Sequence, residues 1–241
     1  CIKRGRHSKE VKVAQLAGYV SEHTEYHHGE ESLNMAIIGL AQNFPGSNNI
    51  NLLMPNGNFG YRRLGGKEHS SPRYIFTEIN PLTNKIFREE DDCVLEYNYD
   101  DGKQVEPIHY VPILPFTLVN GANGIGTGFS TSILPYNPLD IVKNMKLLLN
   151  GEKIQDMHPW FNGFTGEIER IFDKKESIRR YKISGKYTVD GRTVHITEIP
   201  ILDGWIELYE KKLEQKISTS PNDKLKIEEV NPITSNNKID I

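Results

Sequence analysis

The sequence has only two cysteines, Cys1 and Cys93, among 241 residues. Cysteines so few and so far apart exclude a disulfide framework and a cysteine zinc site, and a reducing, intracellular setting is the default expectation. No apolar run approaches the ~18 residues that a membrane-spanning helix needs, so we expect no membrane role. The pattern G-x-x-x-x-G-K-[ST] is missing, which argues against a nucleotide-triphosphate site. With 37% hydrophobic residues the chain can nevertheless bury a core of one or two domains.

The net charge of −3 argues at first sight against nucleic acid as a partner. The charge is unevenly distributed, however. Residues 1–75 carry nine Lys/Arg against six Asp/Glu, a balance of +3, and they include a basic cluster between residues 3 and 12. Residues 76–106 carry three against nine, a balance of −6. The first 75 residues therefore form a mildly basic module. Because position 1 is Cys rather than Met, we also expect the chain to be a piece of a longer protein.

Two helices are predicted in the basic module, because apolar residues recur there with helical spacing. The first pattern comprises Val13, Leu16, Ala17 and Val20, and the second comprises Leu33, Ala36, Ile37, Leu40, Ala41 and Phe44. Glu30, Glu31 and Ser32 fit the start of the second helix. A connection of roughly residues 21–29 is compatible with a helix-turn-helix.

The remaining chain alternates loops with short elements. Residues 45–72 are rich in Gly, Asn and Ser and predict loops. Asn137-Pro138 predicts the start of a helix that runs to about Leu149, and Asp190-Gly191 predicts a tight hairpin. Strands are predicted over 74–79, 93–99, 166–172, 181–189 and 192–199, and a helix over 205–217. The fold class is therefore α+β, with a domain boundary near residue 110.

Tyr74 is the first candidate for chemistry, because a tyrosine can act as a covalent nucleophile. Its neighbour Arg73 could stabilise the phenolate and hold a phosphate oxygen, and Lys67, on a Gly-Gly turn, could add a second positive charge. The alternative is that Tyr74 is an ordinary strand residue with a solvent-facing arginine beside it.

His27 and His28 are the second candidate, because they precede a predicted helix N-terminus, where backbone N–H groups favour an anion. Either could donate a hydrogen bond to a phosphate oxygen. A zinc site fails because no further His or Cys completes the ligand set. The alternative is a hydrogen-bonded capping histidine.

Ile125 is the third candidate, because it is an apolar side chain in the glycine-rich segment 120–130. It could be a wedge that kinks DNA between base steps, or it could be a core residue. The segment does not have the spacing of a dinucleotide-binding loop. The acidic pairs Asp91-Asp92 and Asp100-Asp101 are expected to be solvated rather than metal ligands.

Several ordered motifs together resemble one family, the type IIA DNA topoisomerases of the eukaryotic kind. The resemblance is dense over about residues 10–150 and looser beyond. It rests on residues 10–18, Tyr26-His27-His28-Gly29-Glu30, Leu40-Ala41-Gln42-Asn43-Phe44, Gly46-Ser47-Asn48-Asn49, Asn58-Phe59-Gly60, Gly65-Gly66-Lys67, Ser71-Pro72-Arg73-Tyr74-Ile75-Phe76-Thr77, Val119-Asn120-Gly121 and Gly124-Ile125-Gly126-Thr127-Gly128.

The adjacent histidines are closer to the eukaryotic kind than to the bacterial gyrase, whose cleaving chain has a pattern that resembles Tyr-His-Pro-His-Gly. Large DNA viruses also encode enzymes of the eukaryotic kind. The chain departs from the usual cellular pattern at Glu31, Gly39 and Asn58, which leaves a divergent eukaryote and a virus open as sources.

The resemblance implies specific roles. Residues 1–110 would be a winged-helix domain of the DNA breakage–reunion core, and residues 111–241 most of a tower domain. Tyr74 would form a transient 5′-phosphotyrosine link, with Arg73 and His28 stabilising the phosphate charge. The resemblance implies that the DNA-binding residues are His27, Lys67, Ile125, Asn43 and Lys12, with Ile125 intercalating to bend the duplex.

The resemblance also implies what lies elsewhere. The family is ATP-dependent, acts as a homodimer on double-stranded DNA, and takes its Mg²⁺ ligands and its ATPase domain from upstream of this stretch. We therefore expect no cofactor in this chain and no efficient cleavage by it alone. The enzyme would act in the nucleus if cellular, or in the host cytoplasm or virion if viral. The alternative is a winged-helix DNA-binding module without chemistry.

Overall fold

The structure is a computed structural model that describes residues 9–171, 180–201, 204–217 and 227–241. Cys1 and the basic residues Lys3, Arg4 and Arg6 lie outside the described residues, as does Phe172 at the end of a predicted strand.

Helices and short strands alternate through the first half of the described chain. β1 (Val11–Lys12) leads into α1 (Val13–His23), and α2 (Glu30–Ala41) follows after a short connection. The later elements of this half are, in order, a 3₁₀ turn (Arg62–Leu64), β2 (Phe76–Thr77), α3 (Pro81–Ile86), a second 3₁₀ turn (Glu89–Val94), β3 (Tyr97–Asp100), β4 (Lys103–Pro107) and α4 (Phe116–Val119).

The second half consists mainly of β-hairpins around two longer helices. Its elements are β5 (Ala122–Gly126), β6 (Phe129–Ile133), α5 (Pro138–Leu149), β7 (Glu167–Ile171), β8 (Arg180–Ser184), β9 (Lys186–Asp190), β10 (Thr193–Glu198) and α6 (Ile206–Glu214). Within the described ranges, the strands form five separate two-stranded antiparallel sheets. The predicted α+β class is thus confirmed.

The main core lies between α1 and α2. Their inward faces contribute buried aliphatic residues to it, and Leu53, Phe59 and Ile75 close it from the loop-rich segment. Each of these side chains gains roughly 1.5–3 kcal/mol from burial. The members from the two helices are Val13, Leu16, Ala17, Ile37, Ile38 and Ala41. The predicted helical spacing was therefore correct, and the core fixes the platform on which residues 72–75 rest.

The start of α5 confirms the local sequence signal. The side chain of Asn137 accepts a hydrogen bond from the Leu139 N–H at 2.9 Å, and Pro138 occupies the first helical position, where a missing N–H costs nothing. The same Asn-Pro-Leu triplet starts α3, where Asn80 accepts from the Leu82 N–H at 3.0 Å. The sequence patterns had not predicted that second helix.

Three strand predictions need correction. Tyr74 lies in a turn, and the strand predicted over 74–79 is confined to Phe76–Thr77. Cys93 belongs to the second 3₁₀ turn, so the strand predicted over 93–99 begins only at Tyr97. The strand predicted over 181–189 is interrupted at Gly185, where an added Cβ would overlap the carbonyl oxygen of Glu198.

Hydrogen bonds cross the expected boundary near residue 110. The Asn49 side-chain amide donates to the carbonyl oxygens of Val119 and Trp160, both at 2.9 Å. The Asn120 side chain accepts from the Ile50 N–H at 2.9 Å. The loop-rich segment is therefore fastened to the second half as well as to the helices. In the described part of the chain, no helix is long and apolar enough to cross a membrane.

Candidate functional site

The turn that carries Tyr74 is fastened to the start of α1. The Val13 N–H donates to the Ile75 carbonyl at 3.0 Å, and the Ala14 N–H donates to the Pro72 carbonyl at 3.1 Å. These are N–H groups of the first helical turn, which lack partners within the helix. Ile75 is buried in the core, whereas Tyr74 is 66% exposed. The turn therefore anchors one residue and presents its neighbour to solvent.

Arg73 lies directly beside this tyrosine. Its guanidinium carbon is 5.0 Å from the centroid of the Tyr74 ring, which is within cation–π range. Both side chains are exposed. A planar guanidinium at this position can bind two oxygens of a phosphate that approaches the phenol. The alternative for Tyr74, a strand residue with a solvent-facing arginine, is wrong because neither residue belongs to a strand.

Lys12 lies on the strand next to the tyrosine turn. It pairs with Phe76, two residues beyond Tyr74, and its Nζ is 5.9 Å from the centroid of the Phe76 ring. The pairing of β1 with β2 therefore places a lysine close in the fold to the Tyr74 turn.

Lys67 lies on an exposed turn that is bonded to the helical core. The side-chain amide of Gln42, just after α2, donates to the carbonyl oxygens of Phe59 at 3.0 Å and Gly66 at 3.2 Å. The carboxylate of Glu68 accepts the Tyr61 N–H at 3.0 Å. Both neighbours of Lys67 are thus held, while the lysine itself faces solvent.

A short chain of hydrogen bonds links the Lys67 turn to the Tyr74 turn. The Asn58 side chain donates to the Glu68 carbonyl at 2.9 Å, and the Ser70 N–H donates to the Asn58 carbonyl at 2.9 Å. The Tyr74 N–H in turn donates to the Ser71 carbonyl at 2.8 Å. Residues 58–74 therefore form one bonded loop that presents both candidate side chains.

His27 and His28 lie in the connection between α1 and α2, just before Gly29, the N-cap residue of α2. Both are exposed. His28 packs edge-on against Tyr26, with ring centroids 5.4 Å apart. His27 Nε2 is 3.2 Å from a carboxylate oxygen of Asp100. The described side chains thus give the histidines contacts with Tyr26 and Asp100 rather than with the Tyr74 turn.

The tip of the β3–β4 hairpin touches this histidine loop twice. Besides the contact between His27 and Asp100, the Lys103 Nζ is 3.0 Å from a carboxylate oxygen of Glu25. Asp100 was expected to be merely solvated, and that prediction missed its contact. Among the described residues, no group of three His, Cys, Asp or Glu is arranged to hold a metal ion.

Ile125 lies on the β5–β6 hairpin, opposite Ser130. It is 96% exposed, so the core alternative is wrong. Phe129, which the sequence patterns did not single out, is 84% exposed on the same hairpin. Exposed apolar side chains of this size at a hairpin tip indicate a binding surface. Asn43 is also exposed, directly after Gln42.

Two arginines of the basic module face inward instead of outward. Arg62 is buried and its Nη2 is 2.7 Å from Glu198 Oε1. Arg63 bonds Glu210 through both of its Nη atoms, at 3.2 and 2.6 Å. The sequence patterns missed this role because the partners are far away in the chain. A run of two arginines beside a Gly-Gly turn gave no sign of which face they take.

The comparisons with known proteins agree with this geometry. The family of the A-type chains of DNA gyrase and topoisomerase IV matches residues 1–241. DNA topoisomerase 2 of Pisum sativum is 53% identical over 215 residues, which are 89% of this chain and 14% of that protein. DNA topoisomerase 2 of Saccharomyces cerevisiae is 53% identical over 227 residues, 94% of this chain and 15% of that protein.

A solved structure also matches along the whole chain. It is the DNA-binding, cleavage and re-ligation domain of Plasmodium falciparum topoisomerase II, with a TM-score of 0.90 and 42% identity. The alignment covers 100% of this chain and 32% of that one. The present chain thus spans only a small part, 14–15%, of the length of the two relatives named above.

Proposed function

The chain belongs to the DNA gyrase/topoisomerase IV family of A-type chains, and on that premise we propose that it is the part of an ATP-dependent type II DNA topoisomerase that carries the cleaving tyrosine. The whole enzyme would make a transient double-strand break, pass a second duplex and reseal the first. The observation that carries the proposal is the exposed Tyr74 on an anchored turn, with the Arg73 guanidinium 5.0 Å from its ring.

The proposed reaction is a transesterification. The Tyr74 hydroxyl oxygen attacks a backbone phosphorus, a P–O bond to tyrosine forms, and the P–O3′ bond breaks. The phenol loses its proton and the departing 3′ oxygen gains one, so the step is balanced. Because one phosphoester replaces another, resealing runs the same step backwards and needs no external energy source.

Arg73 would offset the weakness of a neutral phenol as a nucleophile. A phenol with an ordinary pKa near ~10 is mostly protonated at neutral pH, so charge must be stabilised as the proton leaves. A guanidinium beside the ring can stabilise both the phenolate and the phosphate oxygens during the displacement. We assign His28 to the same phosphate.

The remaining site residues would bind the duplex. Lys67 and Lys12 are positioned by the bonded loop and by β1, and we assign them contacts with phosphates, along with His27 and Asn43. His27 would exchange its contact with the Asp100 carboxylate for a contact with a phosphate when DNA binds.

Ile125 would bend the DNA. Its side chain is almost fully exposed at a hairpin whose base is bonded to the loop-rich segment through Asn120. Insertion of an apolar wedge between base steps costs several kcal/mol in lost stacking and bending, which added contacts along the bent duplex offset.

We propose that residues 1–110 form a winged-helix domain and residues 111–241 most of a tower domain, and that the longer protein works as a homodimer. The pair of helices α1 and α2, with β1 and β2 at its edge, is compatible with a helix-turn-helix core.

Mg²⁺ and ATP would belong to other parts of the longer protein. A divalent cation would supply Lewis-acid help at the scissile phosphate. The described side chains do not fit such a cation, because they offer no group of three suitable ligands. We therefore propose ligands upstream of this chain. If the source is cellular, the enzyme would act in the nucleus; a viral enzyme would act in the host cytoplasm or virion.

The test is a Tyr74→Phe substitution in the full-length protein. We expect the variant to bind duplex DNA normally and to form no denaturant-resistant DNA adduct. Tyr99→Phe is the matched control, because Tyr99 is another exposed tyrosine, on β3, and that variant should keep the adduct. An adduct that persists in Tyr74→Phe would overturn the proposal and favour the alternative, a winged-helix module that only binds DNA.

A further inference from the structure

Arg62 and Arg63 connect the loop that carries Lys67 to the second half of the chain. The buried pair between Arg62 and Glu198 has both side chains only 4% exposed. The same Glu198 accepts hydrogen bonds from the N–H and the hydroxyl of Thr165, both at 3.1 Å, and from the Ile199 N–H at 3.0 Å. The charges are thus buried with their hydrogen-bonding capacity largely filled.

Arg63 forms a second connection. Its two Nη atoms bond the two carboxylate oxygens of Glu210 on α6, the planar fork geometry that makes arginine specific for a carboxylate. Arg63 Nη1 also donates to the Thr234 hydroxyl at 2.6 Å. The backbone N–H of Arg63 donates to the Asn236 carbonyl at 3.1 Å. Three separate parts of the second half are thereby bonded to one 3₁₀ turn.

The next residue but one continues this contact. Gly65 lies against the indole of Trp205, so closely that an added Cβ would overlap its Nε1. Gly66 follows, with its carbonyl held by Gln42, and then Lys67. The path from Glu198 and Glu210 to Lys67 therefore runs through a few residues that are all fixed by bonds or close packing.

We infer that Arg62 and Arg63 are positioning residues: they bind Glu198 and Glu210 in the second half of the chain and so hold Lys67 in its place for DNA cleavage. This inference rests on the proposed function. It assigns the two arginines an internal role, although they contribute to the positive balance of residues 1–75.

The inference separates cleavage from DNA binding. The attraction between a lysine and a phosphate tolerates a displacement of about an ångström, since a flexible side chain can follow. Cleavage does not, because a misplacement of about 1 Å can cost up to 10²-fold in rate. Loss of the arginine bonds should therefore reduce the cleaved fraction of bound DNA and leave affinity nearly unchanged.

The experiment uses full-length protein with Arg63→Lys, which keeps the charge but loses the fork, and Glu210→Gln, which keeps the shape but loses the charge. Arg63 is partly exposed, so these variants avoid the buried pair, whose disruption could prevent folding. Arg192→Gln is the control, because it breaks an exposed ion pair with Glu228 elsewhere in the second half. Adduct yield is measured at saturating duplex DNA, well below each variant's melting temperature.

We expect adduct yield to fall roughly 10-fold in both variants, with DNA affinity changed less than about three-fold. In a Lys67→Ala background, the same substitutions should change the yield by less than about two-fold, because residues that act through one another are not additive. Equal effects in the two backgrounds, or unchanged yield in the single variants, would overturn the inference. Failure of the proposed function itself would appear separately, as an adduct in Tyr74→Phe.

Discussion

The guanidinium of Arg73 lies 5.0 Å from the centroid of the Tyr74 ring, on a turn whose carbonyl groups accept from the first N–H groups of α1. Neighbouring residues in a turn can point to quite different surroundings, and here the docking of the turn leaves both of these side chains exposed. The arrangement puts a fixed positive charge beside a weak nucleophile.

The first prediction concerns the shape of that charge. Arg73→Lys keeps the positive charge but removes the planar fork, so it should lower adduct formation on the order of 10²-fold, as loss of one oriented donor does in other active sites. DNA affinity should hardly change. A rapid-quench assay of adduct formation measures the rate. Arg88→Lys, an exposed arginine paired with Glu90, serves as the control and should keep normal kinetics. A normal rate in Arg73→Lys would contradict the role assigned to the fork.

A second prediction concerns the hairpin wedge. Ile125→Ala should reduce the bend of bound DNA and the cleaved fraction together, because the shortened side chain cannot hold a base step open. Fluorescence energy transfer between dyes at the two duplex ends measures the bend. Ser130→Ala changes the directly paired residue by a single hydroxyl and should leave the bend as it is. An unchanged bend in Ile125→Ala would exclude the wedge.

A third prediction follows from the ligand sets present. The isolated chain should form little covalent adduct with duplex DNA in Mg²⁺, because its described residues supply no group of three metal ligands. The measurement compares it with the full-length protein at equal tyrosine concentration. Abundant adduct from the isolated chain would show that Tyr74 acts without the upstream parts.

The sequence predicted those features that depend on neighbouring residues. The Asn137-Pro138 start of α5 was correct because an N-cap is a local interaction between a side chain and the N–H two residues later. The helical spacing in α1 and α2 was correct because it reports which face is buried. The identification of Tyr74 and Arg73 as candidates came from ordered motifs, which fold together whatever their local secondary structure.

Features that depend on distant partners were missed. Tyr74 was predicted in a strand, but the docking of residues 72–75 on α1 imposes a turn that local β propensity does not reveal. Arg63 was counted as surface charge, whereas its partner Glu210 is 147 residues away. Only the folded chain shows which basic residues are paired internally.

A fourth prediction tests the packing of the Gly65 turn. Gly65 has φ +65°, and a Cβ there would overlap Trp205. Gly65→Ala should therefore cost about 3 kcal/mol in the free energy of unfolding, from left-handed strain and overpacking together. Gly102 has φ +76° but open space around it, so Gly102→Ala isolates the strain, about 1–2 kcal/mol. Chemical denaturation measures both. Equal losses would mean that the indole of Trp205 moves away.

The last prediction uses salt to identify which basic residues meet phosphate. Each phosphate contact releases counterions, so the logarithm of the DNA association constant falls with the logarithm of the salt concentration, by about 0.9 for each contact. Lys67→Gln should reduce this slope by about 0.9. Arg63→Gln removes the same charge from a residue bonded to Glu210, and it should leave the slope unchanged even where it impairs cleavage. Fluorescence anisotropy on one duplex over a salt series gives both slopes. A lowered slope in Arg63→Gln would show that Arg63 binds DNA directly, because a side chain that spends its charge within the protein releases no counterions from the duplex.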